Sequence, residues 1–84
     1  MLDMAHVTFI TSLTQFTGGV RALEVEAATV QRLFAVLSEK FPELASHLDD
    51  GVAVAIDGQI YQDALFQPIG ANSDVHLLPK IAGG

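Results

Sequence analysis

Apolar and polar residues alternate along two early stretches of the chain. In residues 5–13, Val7, Phe9 and Leu13 fall on one side of an extended segment, and His6, Thr8 and Ile10 fall on the other. From Val20 to Ala27 the alternation resumes, with Leu23 and Val25 pointing one way and Glu24 and Glu26 toward solvent. Between them, Phe16-Thr17-Gly18-Gly19 supplies turn residues whose glycines can take a positive φ. The two stretches predict a hairpin. The period then changes. Val30, Leu33, Phe34, Leu37 and Phe41 recur at helical spacing and draw one apolar stripe. Thr29 stands before the stripe as an N-cap, its hydroxyl free to accept from an unpaired first-turn amide. Pro42 ends the helix, because the residue before a proline is pushed out of the α region. Leu44 and Leu48 extend the apolar contact through a short irregular or helical turn.

Asp49-Asp50-Gly51 breaks the chain. Val52-Ala53-Val54-Ala55-Ile56 reads as a third strand closed by the turn signal Asp57-Gly58, and Gln59 to Gln62 reads as a short fourth. Residues 63–73 read as loop with one helical turn near Ala64-Leu65, and Asp74 to Leu78 is the last strand. The order is β-β-α-β-β-β, with one helix available to cover one face of one sheet, which is an α+β layer arrangement. Residues 1–79 are expected to form one domain, and residues 80–84 a flexible tail ending in Gly83-Gly84. Glycine brings no side chain to bury and loses the most backbone entropy when ordered, so this tail is expected to order only inside a partner.

Composition narrows the function. Half of the 84 residues are hydrophobic, enough for one core. The formal net charge is −6, and Arg21, Arg32, Lys40 and Lys80 are scattered, so no basic stripe is available for phosphates and nucleic-acid binding is not expected. An acidic chain suits a basic protein surface instead. There is no cysteine, hence no disulfide, thiolate ligand or thiol nucleophile. No apolar run approaches the ~18 residues of a membrane span, and no secretory signal opens the chain, so the expected location is cytoplasmic with no membrane contact. His6, His47 and His76 lack ligand spacing, so no metal site is expected. Asp49-Asp50 reads as turn chemistry, and Gly18-Gly19 lacks the lysine of a phosphate-binding loop. Ser12, Ser38, Ser46 and Ser73 lack a nucleophile-elbow pattern. The chain carries no recognisable catalytic set of its own.

The element order, the opening hairpin and the closing diglycine resemble the β-grasp fold of ubiquitin, and more closely the MoaD/ThiS sulfur-carrier family. The likeness covers essentially the whole chain and is most specific over 74–84, where a hydrophobic last strand, Pro79, an aliphatic residue, a small residue and Gly83-Gly84 follow one another. Ala28-Thr29-Val30 and Ala55-Ile56-Asp57-Gly58 also fit. The resemblance implies a mixed sheet of four to five strands packed on one main helix. It also implies a chemistry centred on Gly84. A terminal carboxylate, with a pKa of roughly 3.5, is ionised and unreactive toward nucleophiles at neutral pH. A ubiquitin-activating-like adenylyltransferase would use ATP to adenylate it. A sulfur donor would then displace AMP and leave a thiocarboxylate for an acceptor enzyme. The acceptor would be a molybdopterin synthase large subunit or an enzyme of the thiazole synthase type. The chain itself would be a carrier, not an enzyme, with no permanently bound cofactor. The alternative is a ubiquitin-like modifier or interaction subunit docking through its tail and sheet face. Chain length and Pro79 resemble the small subunit of molybdopterin synthase, which stands first. Thr17-Gly18-Gly19 resembles carriers used in cysteine synthesis, and Ile81-Ala82-Gly83-Gly84 also occurs in thiazole-forming carriers of the thiamine route.

The tail and the sheet supply the candidate contacts. Lys80, Ile81, Ala82, Gly83 and Gly84 can span at most roughly 17 Å, enough to cross a partner's wall. Ile81 is placed to anchor the tail in an apolar notch, and Lys80 is expected to stay solvated. On the sheet face opposite the helix stand Ile10, Ala53, Ala55 and Leu78. In a β-grasp sheet the first and last strands are neighbours, which brings Ile10 and Leu78 together with Ile60 at the edge. The family resemblance implies that Ile10, Ile60 and Leu78 meet partner enzymes, and a contiguous apolar patch beside the tail suits an interface.

Overall fold

Strand alternation and helical periodicity converge on one core in the computed structural model, which describes residues 4–48, 51–62 and 64–79. Five strands form one sheet: β1 (Ala5–Phe9), β2 (Ala22–Val25), β3 (Val52–Ile56), β4 (Gln59–Tyr61) and β5 (Asp74–Pro79). Two helices, α1 (Val30–Lys40) and α2 (Pro42–Leu48), and a 3-10 helix (Thr11–Phe16) complete the elements. The strand order is β2-β1-β5-β3-β4. β1 and β5 are parallel, in register from His6↔Asp74 to Phe9↔Leu77, and the remaining pairs are antiparallel. This mixed sheet with helices on one face is the ubiquitin-like β-grasp arrangement that the sequence resembles.

The core lies between α1 and the inward residues of the strands. Val30, Leu33 and Leu37 of α1 pack with Val7, Phe9, Val25, Val54, Ile56, Val75 and Leu77, and α2 adds Leu44 and Leu48. Each such side chain removed from water contributes about 1.5–3 kcal/mol before conformational entropy is set against it. Phe9 meets Phe41 edge-on, with ring centroids 5.8 Å apart, the geometry that suits the quadrupoles of two aromatic rings.

The start of α1 is fully provided for. Thr29 is extended at φ −142° and ψ 163°, and its Oγ1 accepts from the Arg32 amide at 3.2 Å. The amides of Val30 and Gln31 donate to Gln67 O at 3.1 Å and Leu65 O at 2.8 Å. Three donors that a helix normally leaves open are thus satisfied, two of them by the loop before β5. That loop is fixed in turn by Gln67 N–H on Ala64 O and Ile69 N–H on Ala28 O. The helical turn expected near Ala64-Leu65 is a simple turn closed by that Ala64–Gln67 bond.

Three expectations are corrected. The first strand ends at Phe9, not Leu13, and Thr11–Phe16 coils into a 3-10 helix. Side chains there bond the local backbone, with Thr14 Oγ1 donating to Thr11 O at 2.7 Å and Gln15 Nε2 to Ser12 O at 2.9 Å, which competes with a sheet ladder. Leu13 is still buried, through the coil rather than along a strand. The connection back to β2 passes through Gly18 and Gly19 at φ 67° and 89°, a pair of left-handed residues that side chains with a Cβ rarely adopt. Second, Pro42 ends α1 but also opens α2, a seven-residue helix where only an irregular or helical turn was expected. Proline suits a first helical position because its missing N–H would be unpaired there anyway. Third, β4 stops at Tyr61 rather than Gln62, whereas β5 runs one residue further, to Pro79.

The Asp57-Gly58 turn has φ values of 49° and 91°, the left-handed pair of a tight hairpin. Asp57 also ties that hairpin to β5. Its carboxylate accepts from Ser73 Oγ at 3.0 Å and from the Asp74 amide at 2.9 Å.

Replacing Thr29 by Ala should cost about 1 kcal/mol. In a domain of this size that lowers the melting temperature by about 4–8 °C. Thr29→Ser should sit near the parent. Thermal unfolding followed by circular dichroism checks both, and an unchanged Thr29→Ala variant would show that the Gln67 and Leu65 carbonyls hold the helix start without the cap.

Candidate functional site

The outward face of the sheet is built from the strand residues that the core does not use. On β5 exposure alternates: Val75 and Leu77 are buried, Asp74 and His76 are exposed, and Leu78 is half-buried. Leu78 therefore shares a face with Asp74 and His76, away from α1. It pairs with Ala53 on β3. On its other side, the Ile10 amide donates to Leu77 O at 3.0 Å, continuing the β1–β5 register past Phe9↔Leu77 so that Ile10 stands beside Leu78. Ile10 is 47% exposed.

Ile60 lies one row away. It is 50% exposed on β4 and pairs with Ala55, which pairs in turn with His76. Ala53 and Ala55 lie between Ile60 and Leu78 in these registers and bring only methyl groups to that part of the face. Ala53 has no exposure, although it is out of phase with the core-facing Val52 and Val54. The structure thus places Ile10 and Leu78 side by side at the end of the sheet where β5 finishes, and Ile60 diagonally across an alanine floor.

The other end of the same face is polar. His6 Nδ1 lies 3.2 Å from Glu24 Oε1, and His76 Nε2 lies 3.3 Å from Asp74 Oδ2, with all four side chains at least half exposed. Pairs this open to water hold little energy, so they matter as surface chemistry more than as stabilisers. The face therefore grades from an apolar end near Pro79 to a carboxylate-bearing end. The acidic side of this gradient was legible in the sequence, since alternation through Asp74-Val75-His76-Leu77 puts Asp74 and His76 on one side. Among the described residues, no group of three or more His, Cys, Asp or Glu could hold a metal ion, and no helix is long and apolar enough to cross a membrane. The tail residues Lys80, Ile81, Ala82, Gly83 and Gly84, and the Asp49-Asp50 turn, lie outside the described residues.

Comparison with known proteins agrees with this architecture. The model of the ThiS family matches residues 7–84, and the chain belongs to that family. No curated protein matches the chain. Among solved structures, SAMP1 from Haloferax volcanii is 24% identical, with 96% of this chain and 99% of that one covered at a TM-score of 0.76. A chain of the BexX/CysO complex of Amycolatopsis orientalis is 20% identical, with 95% of this chain and 99% of that one covered at a TM-score of 0.77. The complex of subunits 1 and 2 of the molybdopterin-converting factor from Helicobacter pylori includes a chain 25% identical, covering 96% and 99% at a TM-score of 0.69.

Adjacent leucines give a direct test of which side of β5 faces the core. Leu77 has no exposure, so Leu77→Asp would bury an unpaired carboxylate at a cost of several kcal/mol, comparable with the whole stability of a small domain. Leu78→Asp should keep the circular dichroism spectrum and a cooperative melt. Unfolding by the second variant and not the first would reverse the assignment of the face.

Proposed function

We propose that this ThiS-family chain is a sulfur carrier that works by presenting its tail to partner enzymes. The observation that carries the reading is the family match, which runs through Gly84. The placing of the apolar end of the outward face next to Pro79, where residues 80–84 begin, adds a docking surface beside the tail.

In this reading the Gly84 carboxylate oxygen attacks the α-phosphorus of ATP on an adenylyltransferase, and pyrophosphate leaves. The acyl-adenylate carbon is then open to sulfur. Hydrosulfide forms the C–S bond as the C–O bond to AMP breaks, AMP departs and a thiocarboxylate remains; a persulfide donor first gives an acyl disulfide, whose S–S bond a thiol then reduces to release the thiocarboxylate. An acceptor synthase takes the sulfur and the carboxylate returns for another cycle. The domain supplies no acid, base or metal to these steps. It supplies a folded body that an enzyme can grip through Ile10, Leu78 and Ile60, and a thin reach into that enzyme's active site. ATP belongs to the partner, and the chain holds no cofactor. A bare carboxylate makes a poor acyl donor at neutral pH, so activation by a partner is a chemical requirement of the scheme.

Two of the structural neighbours are complexes with another protein, BexX in one and the second subunit of a molybdopterin-converting factor in the other. They support docking of this chain on a larger partner. Molybdopterin formation is the first choice of pathway, with thiazole and cysteine synthesis beside it. A second reading, conjugation as a protein modifier, draws on the likeness to SAMP1. In that case the acyl-adenylate would meet a lysine amine instead of sulfur.

Intact mass spectrometry separates these outcomes. Incubation with the activating enzyme of the same genome, ATP and a sulfur donor should replace one Gly84 oxygen by sulfur. A product linked by an amide to another protein would favour the modifier reading, and no adenylate at all would sink both. Deleting Gly83 and Gly84 should abolish the thiocarboxylate while leaving the melting temperature nearly unchanged, and a large thermal loss would make the tail structural. Leu78→Asp should weaken binding to the activating or acceptor enzyme about tenfold or more, read by calorimetric titration, because an interfacial leucine contributes about 1.5–3 kcal/mol.

A further inference from the structure

Asp57-Gly58 sets a carboxyl group, one carbon from the main chain, before the least hindered kind of amide nitrogen. Such a carboxyl can close a five-membered ring on the next residue's nitrogen, and glycine places no Cβ in the way. Both residues are exposed at the tip of the β3–β4 hairpin, with φ of 49° and 91°. The space around Gly58 is open, since a methyl group added there would meet nothing within 4 Å. Among the described residues, no backbone hydrogen bond uses the Gly58 amide. The nitrogen is therefore neither shielded nor engaged.

What opposes ring closure is the set of ties that holds Asp57 to the start of β5. Its Oδ1 accepts from the Asp74 amide at 2.9 Å and its Oδ2 from Ser73 Oγ at 3.0 Å. Its own amide donates to Asp74 O at 2.8 Å. The donors are themselves fixed. Ser73 is buried, its amide donates to Gly70 O at 3.1 Å, and its carbonyl accepts from the His6 amide at 2.9 Å. Ring closure turns the carboxyl group about Cα–Cβ and Cβ–Cγ and carries its oxygens off these donors, which cannot follow.

We infer that Asp57 is a site of spontaneous isoaspartyl conversion, held back in the folded chain by its bonds to Ser73 and Asp74. The chemistry needs only water and a proton. The carboxylate takes up a proton and the Gly58 nitrogen bonds to Cγ. The amide proton leaves with the carboxyl hydroxyl as water, and a cyclic imide remains. Water then adds to one of the two imide carbonyl carbons, and the bond from that carbon to nitrogen breaks. Opening at Cγ restores aspartate. Opening at the main-chain carbonyl leaves Gly58 joined through Cγ, with a free carboxylate on Cα, and the proton returns to solvent. No electrons are exchanged and the mass is unchanged. The main chain now passes through Cβ and Cγ, one atom longer. In so tight a hairpin that displaces β4 against β3, whose register holds Ile56↔Gln59 and Ala55↔Ile60. The new carboxylate sits one carbon nearer the backbone and loses its reach to Ser73 Oγ. Conversion thus detaches the hairpin from β5 and shifts Ile60 on the outward face. The inference uses neither the tail nor a partner, so it stands apart from the sulfur-carrier reading.

The test ages the full chain at physiological temperature for several weeks, folded in buffer and, in parallel, unfolded in guanidinium chloride. Peptide mass spectrometry with electron-transfer fragmentation, which breaks the main-chain Cα–Cβ bond of isoaspartate, assigns conversion to a residue. It thereby separates Asp57 from the chain's other aspartyl-glycine pair, Asp50-Gly51. Conversion at Asp57 should be fast in the unfolded chain and slow in the folded parent. In folded Ser73→Ala it should be about tenfold faster than in the parent, the factor that loss of one hydrogen bond to a charged group brings to a reaction through a locally opened state. Thr29→Ala weakens the fold at α1 instead and should keep the parent's rate. Converted chains, isolated by chromatography, should exchange amide hydrogens faster in β4 and at the parent's rate in β5. No conversion at Asp57 in the unfolded chain, equal rates folded and unfolded, Ser73→Ala no faster than the parent, Thr29→Ala as fast as Ser73→Ala, or unchanged exchange in β4 would each overturn the inference.

Discussion

The parallel pairing of β1 with β5 is the contact on which the rest of the molecule depends. It joins residues near the start of the chain to the last strand, through Val7↔Val75 and Phe9↔Leu77, four side chains with almost no exposure. Everything between these strands must therefore return to the same sheet, and the helices are what fill the long crossover. With β5 in the middle, β1–β2 and β3–β4 become wings on either side, and α1 has a continuous apolar surface to cover. The same pairing sets Ile10 against Leu78. The outward apolar end of the sheet and the core are two sides of one register, and a slip of a single residue would exchange them.

Much of this was legible in the sequence because period and chemistry agreed. Val30, Leu33 and Leu37 are buried as their spacing requires, with Thr29 as their cap, and Val75 and Leu77 alternate with exposed neighbours. Leu13 misled because its distance from Phe9 fits a strand as well as a coil. Only the bonds of Thr14 and Gln15 to nearby carbonyls reveal the coil, and composition does not encode their geometry. Pro42 carries two meanings, a stop for one helix and a start for the next, and the sequence rule used only the first. Strand order came from the family likeness rather than from periodicity, since alternation shows which way a residue points but not which strand lies beside it. Of the candidate site, the Ile10 and Leu78 juxtaposition was legible once that order was assumed. The alanine floor under Ile60 was partly so. Outside that site, the apolar cavity between α1, α2 and the sheet, lined by Val30, Phe34, Leu48, Val54, Tyr61 and Leu65, was not legible, because its walls come from two helices, two strands and a loop.

The described part of the chain divides its labour by face. Inward residues are large, apolar and mutually dependent. Outward ones, apart from the fully covered Ala53, are half-exposed or charged, and can be changed one at a time with little effect on a neighbour's packing. The Asp57 carboxylate, bonded to Ser73 and the Asp74 amide, steadies the edge where these two regimes meet. This separation lets one fold serve different docking partners, because the outer residues are free to vary while the core is not.

A central strand that follows the four other described strands in the chain has a consequence for synthesis. On the ribosome the chain emerges from its N-terminus at ~5–20 residues per second, and β1, β2 and α1 appear before anything can sit between β1 and β3. Until β5 arrives, Val7, Phe9, Val54 and Ile56 lack the neighbours that bury them, and the nascent chain has no stable core to retain. Long-range pairing of this kind is slow to form and is completed late. A polypeptide released early, short of Asp74, would lack the middle of its sheet and would be open to proteolysis. Only molecules translated at least as far as Pro79 acquire the complete surface formed by Ile10 and Leu78, so the geometry of the sheet doubles as a check on the length of the product.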